Sequence, residues 1–125
     1  MGAKDQIKEV ITNRLDLYII NRVKQLREER GISQVELSLL MGFSEKFVGN
    51  VENPTLAEKY NIRHLNLLAK ALKCTIWDLL PKEPFDDDLV KVKIKRTKSL
   101  NKDGSKSKRM QIEIVDIQPV KERDR

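Results

Sequence analysis

Apolar residues recur at three- and four-residue steps from residue 4 to residue 30, at Ile7, Val10, Ile11, Leu15, Ile19, Val23 and Leu26, which predicts helix ended by Gly31. A second helix announces its own start. Ser33 with Glu36 forms a capping box, and Ile32 with Leu37 can close over the first turn as a hydrophobic staple. The helix then begins at Gln34, runs through Leu37, Leu40 and Met41, apolar at three- and four-residue steps, and meets Gly42, which tolerates the left-handed conformation that ends a helix. Ser44 is placed to cap the next one, with Phe43 and Val48 as staple and Val48 and Val51 as inner stripe. Its outer face is Glu45, Lys46, Gly49 and Asn50, and the short connection at Gly42, Phe43 and Ser44 forces a sharp angle between the two helices. Pro54 disfavours helix at Asn53, so the chain should leave helix by Glu52 or Asn53. Asn61 caps a fourth helix, with Tyr60 and Leu65 as staple and Leu65, Leu68, Ala69 and Leu72 as core stripe. Thr75 and Asp78 make a further capping box, opening a short fifth helix with Trp77, Leu79 and Leu80 that Pro81 stops.

After a stretch rich in proline and acid, the period changes to two. Val90, Val92 and Ile94 alternate with Lys91, Lys93 and Lys95, and Met110, Ile112 and Ile114 alternate with Gln111 and Glu113, which predicts two β-strands. A three-residue loop, Lys102-Asp103-Gly104, would pair Ile94 with Ile112, Val92 with Ile114 and Lys93 with Glu113, keeping both faces consistent. A longer loop is the alternative. A two-stranded hairpin is marginal alone, so its apolar face should either fold back on the helices or pair with a second subunit.

Composition narrows the class. The chain of 125 residues has room for one compact domain plus an appendage, and 35% charged with 5% aromatic residues suits a small helical domain. No run of eighteen apolar residues suggests a membrane span, and the N-terminus lacks the order of a signal peptide, so a cytoplasmic protein is expected. Cys74 reads as a buried, inert thiol, His64 as an exposed polar residue and Trp77 as a core anchor; with one histidine and one cysteine, no metal or cofactor is expected. Residues 1–83 carry 13 Lys and Arg against 11 Asp and Glu, while residues 84–125 carry 12 against 8. Most of that excess lies between Lys95 and Arg109, as a phosphate-attracting arm or as a solvated loop. There is no Ser/His/Asp or Cys/His grouping and no phosphate-cradling glycine loop, so an enzyme is not expected.

Residues 33–53 resemble the helix-turn-helix of phage-repressor and Cro-type (XRE-family) regulators. The likeness rests on Gln34, Leu37, the small residue Ser38, Gly42, Phe43, Val48, Val51 and Glu52-Asn53, and it extends from about Ile20 to Leu80. Departures are Pro54 in place of a glycine, Gly49 inside the second helix and Phe47 in place of a small polar residue. The resemblance implies a mainly α fold with a five-helix repressor-like domain over 17–82; the apolar period adds an N-terminal helical extension over 1–16, either continuous with the first helix or a separate short helix broken near Asn13, whose Ile7 and Ile11 would be covered by intrachain packing or by a dimer contact. A linker over 83–88, a β-hairpin over 89–118 and a tail over 119–125 complete the chain.

Function follows from the resemblance as an expectation. The helix over 45–51 would enter the major groove of double-stranded DNA, with Lys46 donating to guanine, Glu45 accepting from cytosine and Asn50 pairing with adenine. Gln34 and Ser44 would bind phosphates, with Asn53 and Arg63 as further candidates, and Arg27 would pair with Glu52 to tie the first helix to the reading helix. The implied protein is a bacterial transcriptional regulator, a repressor acting as a homodimer on a palindromic operator and associated with the nucleoid when bound. The rival is an antitoxin-like module whose C-terminal hairpin engages a toxin-like protein partner.

Overall fold

The computed structural model describes residues 6–100 and 106–120, and the chain divides into two units: Asn13–Asp88, and the residues up to Thr12 together with those from Leu89 onward. The predicted Lys102-Asp103-Gly104 loop and residues 121–125 of the tail lie outside the described residues.

The helical unit contains α1 (Arg14–Glu29), α2 (Gln34–Leu40), α3 (Phe47–Glu52) and α4 (Ile62–Leu72), followed by a four-residue 3-10 helix at Ile76–Leu79. Asn13 starts α1: its Oδ1 accepts from the Asp16 N–H at 2.7 Å and its amide donates to the Asp16 carboxylate at 2.6 Å. Asn61 and Thr75 each make reciprocal capping boxes, with His64 and Asp78 as the returning partners. At α4's end Lys73 takes the left-handed conformation, with φ of 56°, and the Cys74 N–H closes onto the Ala69 carbonyl at 3.0 Å. The inner stripes meet in one core of Val23, Leu26, Leu37, Met41, Val48, Val51, Leu68, Leu72 and Leu79, edged by Ile32, Phe43 and Leu65. Each such side chain, fully buried, contributes about 1.5–3 kcal/mol.

Three expectations are corrected here. The fifth helix is a single 3-10 turn, because Pro81 leaves too few residues for α-helical bonding. Trp77 is not a core anchor: it is 81% exposed, while Leu79, two residues on, is fully buried. The segment expected as a linker is pinned to α1, with Arg14 donating to both Asp87 oxygens (3.2 and 2.8 Å), the Arg14 N–H bonding the Asp88 carbonyl at 2.8 Å and Phe85 tilted against Tyr18. That bidentate bond holds the Asp87 carboxyl below the usual carboxylate range.

The second unit is a three-stranded sheet in the order β1 (Gln6–Asn13), β2 (Leu89–Leu100), β3 (Lys106–Pro119). The predicted N-terminal helical extension is therefore a strand. Ile7, Val10, Ile11 and Thr12 are β-branched and suit a pleated surface, and Asn13 caps α1 rather than continuing a longer helix. Ile7 and Ile11 are 55% and 57% exposed. The hairpin gains this third strand from its own chain, a solution absent from the two alternatives the sequence offered.

β2 and β3 are antiparallel, as the alternation predicts, with Val90, Val92 and Ile94 buried. Their register differs from the expected one: Ile94 faces Ile114, Lys95 faces Glu113, Val92 faces Ile117 and Lys93 faces Asp116. A slide by two residues leaves every side chain on its own face, so alternation cannot choose between the two pairings. Shifts between Lys93 and Ile94 and between Lys98 and Leu100 complete the offset, the first leaving Val115 as an extra residue on β3.

Candidate nucleic-acid interface

α2 begins where the cap places it, with the Ser33 hydroxyl accepting from the Glu36 N–H at 3.0 Å. It ends at Met41, after which Gly42 takes φ of +84° and the Phe43 N–H bonds the Ser38 carbonyl at 3.0 Å. A side chain at Gly42 would meet open space, so the left-handed backbone is what calls for glycine there.

α3 does not start as predicted. Ser44 is not its cap: the Ser44 carbonyl accepts from the Phe47 N–H at 3.1 Å in a preceding turn, and the first helical residue is Phe47. The residue at the cap position, Lys46, lies in the helical region and makes no capping side-chain bond. The missing acceptor comes from the neighbouring helix. The fully buried Ser38 hydroxyl accepts from the Val48 N–H at 3.0 Å and donates to the Gln34 carbonyl at 2.8 Å, joining α2 to α3. The sequence marks Ser38 as small and gives no sign of this bond.

A polar network closes the other end of α3. Arg27 donates to both carboxylate oxygens of Glu52 at 2.9 and 2.8 Å, and to the Ile32 carbonyl at 2.9 Å. The two side chains are 10% and 3% exposed, so this is a buried pair, and its hydrogen bond with Glu52 raises the Arg27 pKa above the usual guanidinium value. Gln34 donates to the same Glu52 Oε1 at 3.0 Å. Its own Oε1 would lie 3.2 Å from a Cβ built at Gly49, a tight contact that a small shift of the flexible Gln34 side chain relieves, so the space there favours a small residue without requiring glycine.

A cluster of rings supports the other flank. Phe47 lies 4.7 Å from Phe43, 5.0 Å from His64 and 6.0 Å from Tyr60, with His64 edge-on to Phe43 at 5.2 Å. His64 is thus half-buried, not an exposed polar residue: its Nδ1 accepts from the Asn61 N–H at 3.0 Å, and burial, then Arg63, push its pKa down. Arg63 is exposed, with its guanidinium 5.6 Å from the Phe43 ring centre. Among the residues singled out from the sequence, Ser44, Glu45 and Lys46 are exposed in the turn before α3, while Asn50 on α3 and Asn53 just beyond it are half-buried. Asn53 Oδ1 is engaged by the Thr55 N–H (3.0 Å) and hydroxyl (2.7 Å), so it is occupied as an acceptor. Pro54 holds Asn53 in extended backbone, and α3 ends at Glu52.

Elsewhere, burial raises the pKa of the half-buried Cys74 thiol, which disfavours the reactive thiolate. Among the described residues, no group of three His, Cys, Asp or Glu side chains is placed to hold a metal ion, and no helix is long and apolar enough to cross a membrane.

Two short helices joined at a left-handed glycine, with α3 held against α2 and α1 and a polar edge turned outward, define a helix-turn-helix module. Residues 22–84, half of the chain, match the model of the Cro/C1-type HTH DNA-binding domain, and the chain belongs to that family. Membership supports a DNA-binding regulator. Among solved structures, the restriction-modification controller protein C.AhdI from Aeromonas hydrophila is 30% identical, with 52% of this chain and 93% of that one covered at a TM-score of 0.45. Hydroxypropylphosphonic acid epoxidase from S. wedmorenis is 17% identical over 74% of this chain and 64% of its own, at a TM-score of 0.51, a likeness of fold alone. No curated protein matches the chain.

Proposed function

We propose that the chain is a sequence-specific double-stranded DNA-binding transcriptional regulator that represses from a palindromic operator as a homodimer. The observation that carries this reading is the pairing of a Cro/C1-type domain with exposed Glu45 and Lys46 leading into α3, beside Asn50 on that helix. In this reading α3 and its preceding turn enter the major groove. Lys46 donates to guanine O6 or N7, Glu45 accepts from cytosine N4–H, and the Asn50 amide pairs with adenine. Gln34 gives one amide hydrogen to Glu52 and has the second for a phosphate. Ser44, the Asn53 amide nitrogen and Arg63 supply further phosphate contacts, which set register and not sequence. The two-fold partner follows from the operator's symmetry, each subunit reading one half-site.

Selection of the full chain against random duplex DNA at two salt concentrations tests this. The expected result is an inverted repeat whose half-sites lie about 34–36 Å apart, one helical turn, bound by a species that sediments as a dimer. Sequence-blind binding that vanishes as salt rises would overturn it.

A further inference from the structure

We propose that Phe47 is itself a base-reading residue, its ring receiving the 5-methyl group of a thymine in the major groove. This rests on the reading of α3 as the groove helix and adds to it an apolar contact. Successive helical residues are turned by about 100°, which puts Phe47 about 60° from Asn50 and about 40° from the buried Val51. Phe47 therefore occupies the flank between the outward edge and the core, and its side chain is half-buried.

Phe43, His64 and Tyr60 lie at 4.7, 5.0 and 6.0 Å between ring centres and hold the ring in place. Such a ring offers fixed apolar surface at low entropic cost, beside neighbours whose chemistry is polar. Among the groups that base pairs present in the major groove, the apolar one is the thymine methyl, and phenylalanine is among the side chains suited to meet it. The same methyl group on 5-methylcytosine would fit the same surface, and the two sources separate in the test.

The experiment begins with the site recovered by selection. Each thymine is replaced in turn by deoxyuridine, which removes the methyl and retains every hydrogen-bonding edge, and the affinity of the full chain is measured. One position per half-site should lose roughly three- to five-fold, the worth of about one buried methyl group. Phe47→Ala should bind thymine and uracil forms equally. Because that variant also removes part of the ring cluster, 5-iododeoxyuridine placed at the sensitive position provides a test on the native chain: photocrosslinking should join it to the peptide containing Phe47. Methylating a cytosine at any position that tightens binding instead of a thymine would assign the contact to 5-methylcytosine and overturn the thymine form. If a site is recovered but every uracil substitution is silent, or the crosslink maps to another residue, Phe47 does not read the methyl while the groove-helix reading stands. If no site is recovered, that reading fails and this one with it.

Discussion

Replacing Ser38 by alanine isolates the bond that joins the two helices of the motif. The Ser38 hydroxyl lies between the Gln34 carbonyl at 2.8 Å and the Val48 N–H at 3.0 Å, in a side chain with no exposed surface. Since α3 has no side-chain cap of its own, alanine leaves the Val48 N–H buried without its acceptor, at a cost of about 1–3 kcal/mol. Alanine returns at most about 0.7 kcal/mol of helix propensity. The expected net loss is about 1–2 kcal/mol, read from the denaturant midpoint, together with faster hydrogen exchange at the Val48 amide than at its neighbours in α3. Ser33→Ala is the matched control: it removes an exposed cap for about 1 kcal/mol and should leave the Val48 amide protected relative to its neighbours. The consequence for DNA is a loosened α3, so Ser38→Ala should lose more affinity for the selected site than for random duplex. A change within about 0.5 kcal/mol with Val48 as protected as before would show that the hydroxyl does not hold the helix.

Arg27→Ala and Glu52→Ala should each destabilise by about 3–5 kcal/mol, because each strands a buried charge, and the double variant should cost much less than their sum; additive single losses under about 1 kcal/mol in a urea double-mutant cycle would reduce the pair to a surface contact. Lys46→Ala should erase selectivity for the preferred site while Gln34→Ala weakens binding to any duplex, and equal losses on specific and random DNA from both variants would refute the assigned roles. His64 must be neutral to accept from the Asn61 N–H, and its folded pKa lies below the ordinary 6.5; its contribution to stability is therefore complete above that value and is lost as pH falls through the folded pKa. His64→Gln, which can keep the capping box without titrating, should flatten the stability profile below pH of about 6.5, and an unchanged slope would place the proton elsewhere. Trp77→Ala should stay within about 0.5 kcal/mol of the parent, given 81% exposure, and a loss of several kcal/mol on thermal or urea unfolding would contradict that placement.

What the sequence made legible was what a few adjacent residues decide among themselves. The starts at Ser33, Asn61 and Thr75, the turn at Gly42 and the stop before Pro54 are bonds or backbone preferences closed within about five residues. What it hid depends on partners that no local pattern names. Ile7, Val10 and Ile11 satisfy a helical period as well as a strand's composition, and pairing with β2, more than 70 residues away, accompanies the strand. Arg14 and Asp87 are equally remote from one another. α3 joins the two cases. Its apolar stripe, Val48 and Val51, is local and readable, but its start does not lie at Ser44, because the acceptor for its early N–H comes from Ser38 on another helix. Its end is likewise closed by Arg27 of α1, through Glu52, and its flank by His64 of α4. A six-residue helix cannot hold itself in water; each contact that keeps it helical also fixes where Glu45, Lys46, Phe47 and Asn50 stand, so for this segment stability and base selectivity should fall together when any of those ties is cut.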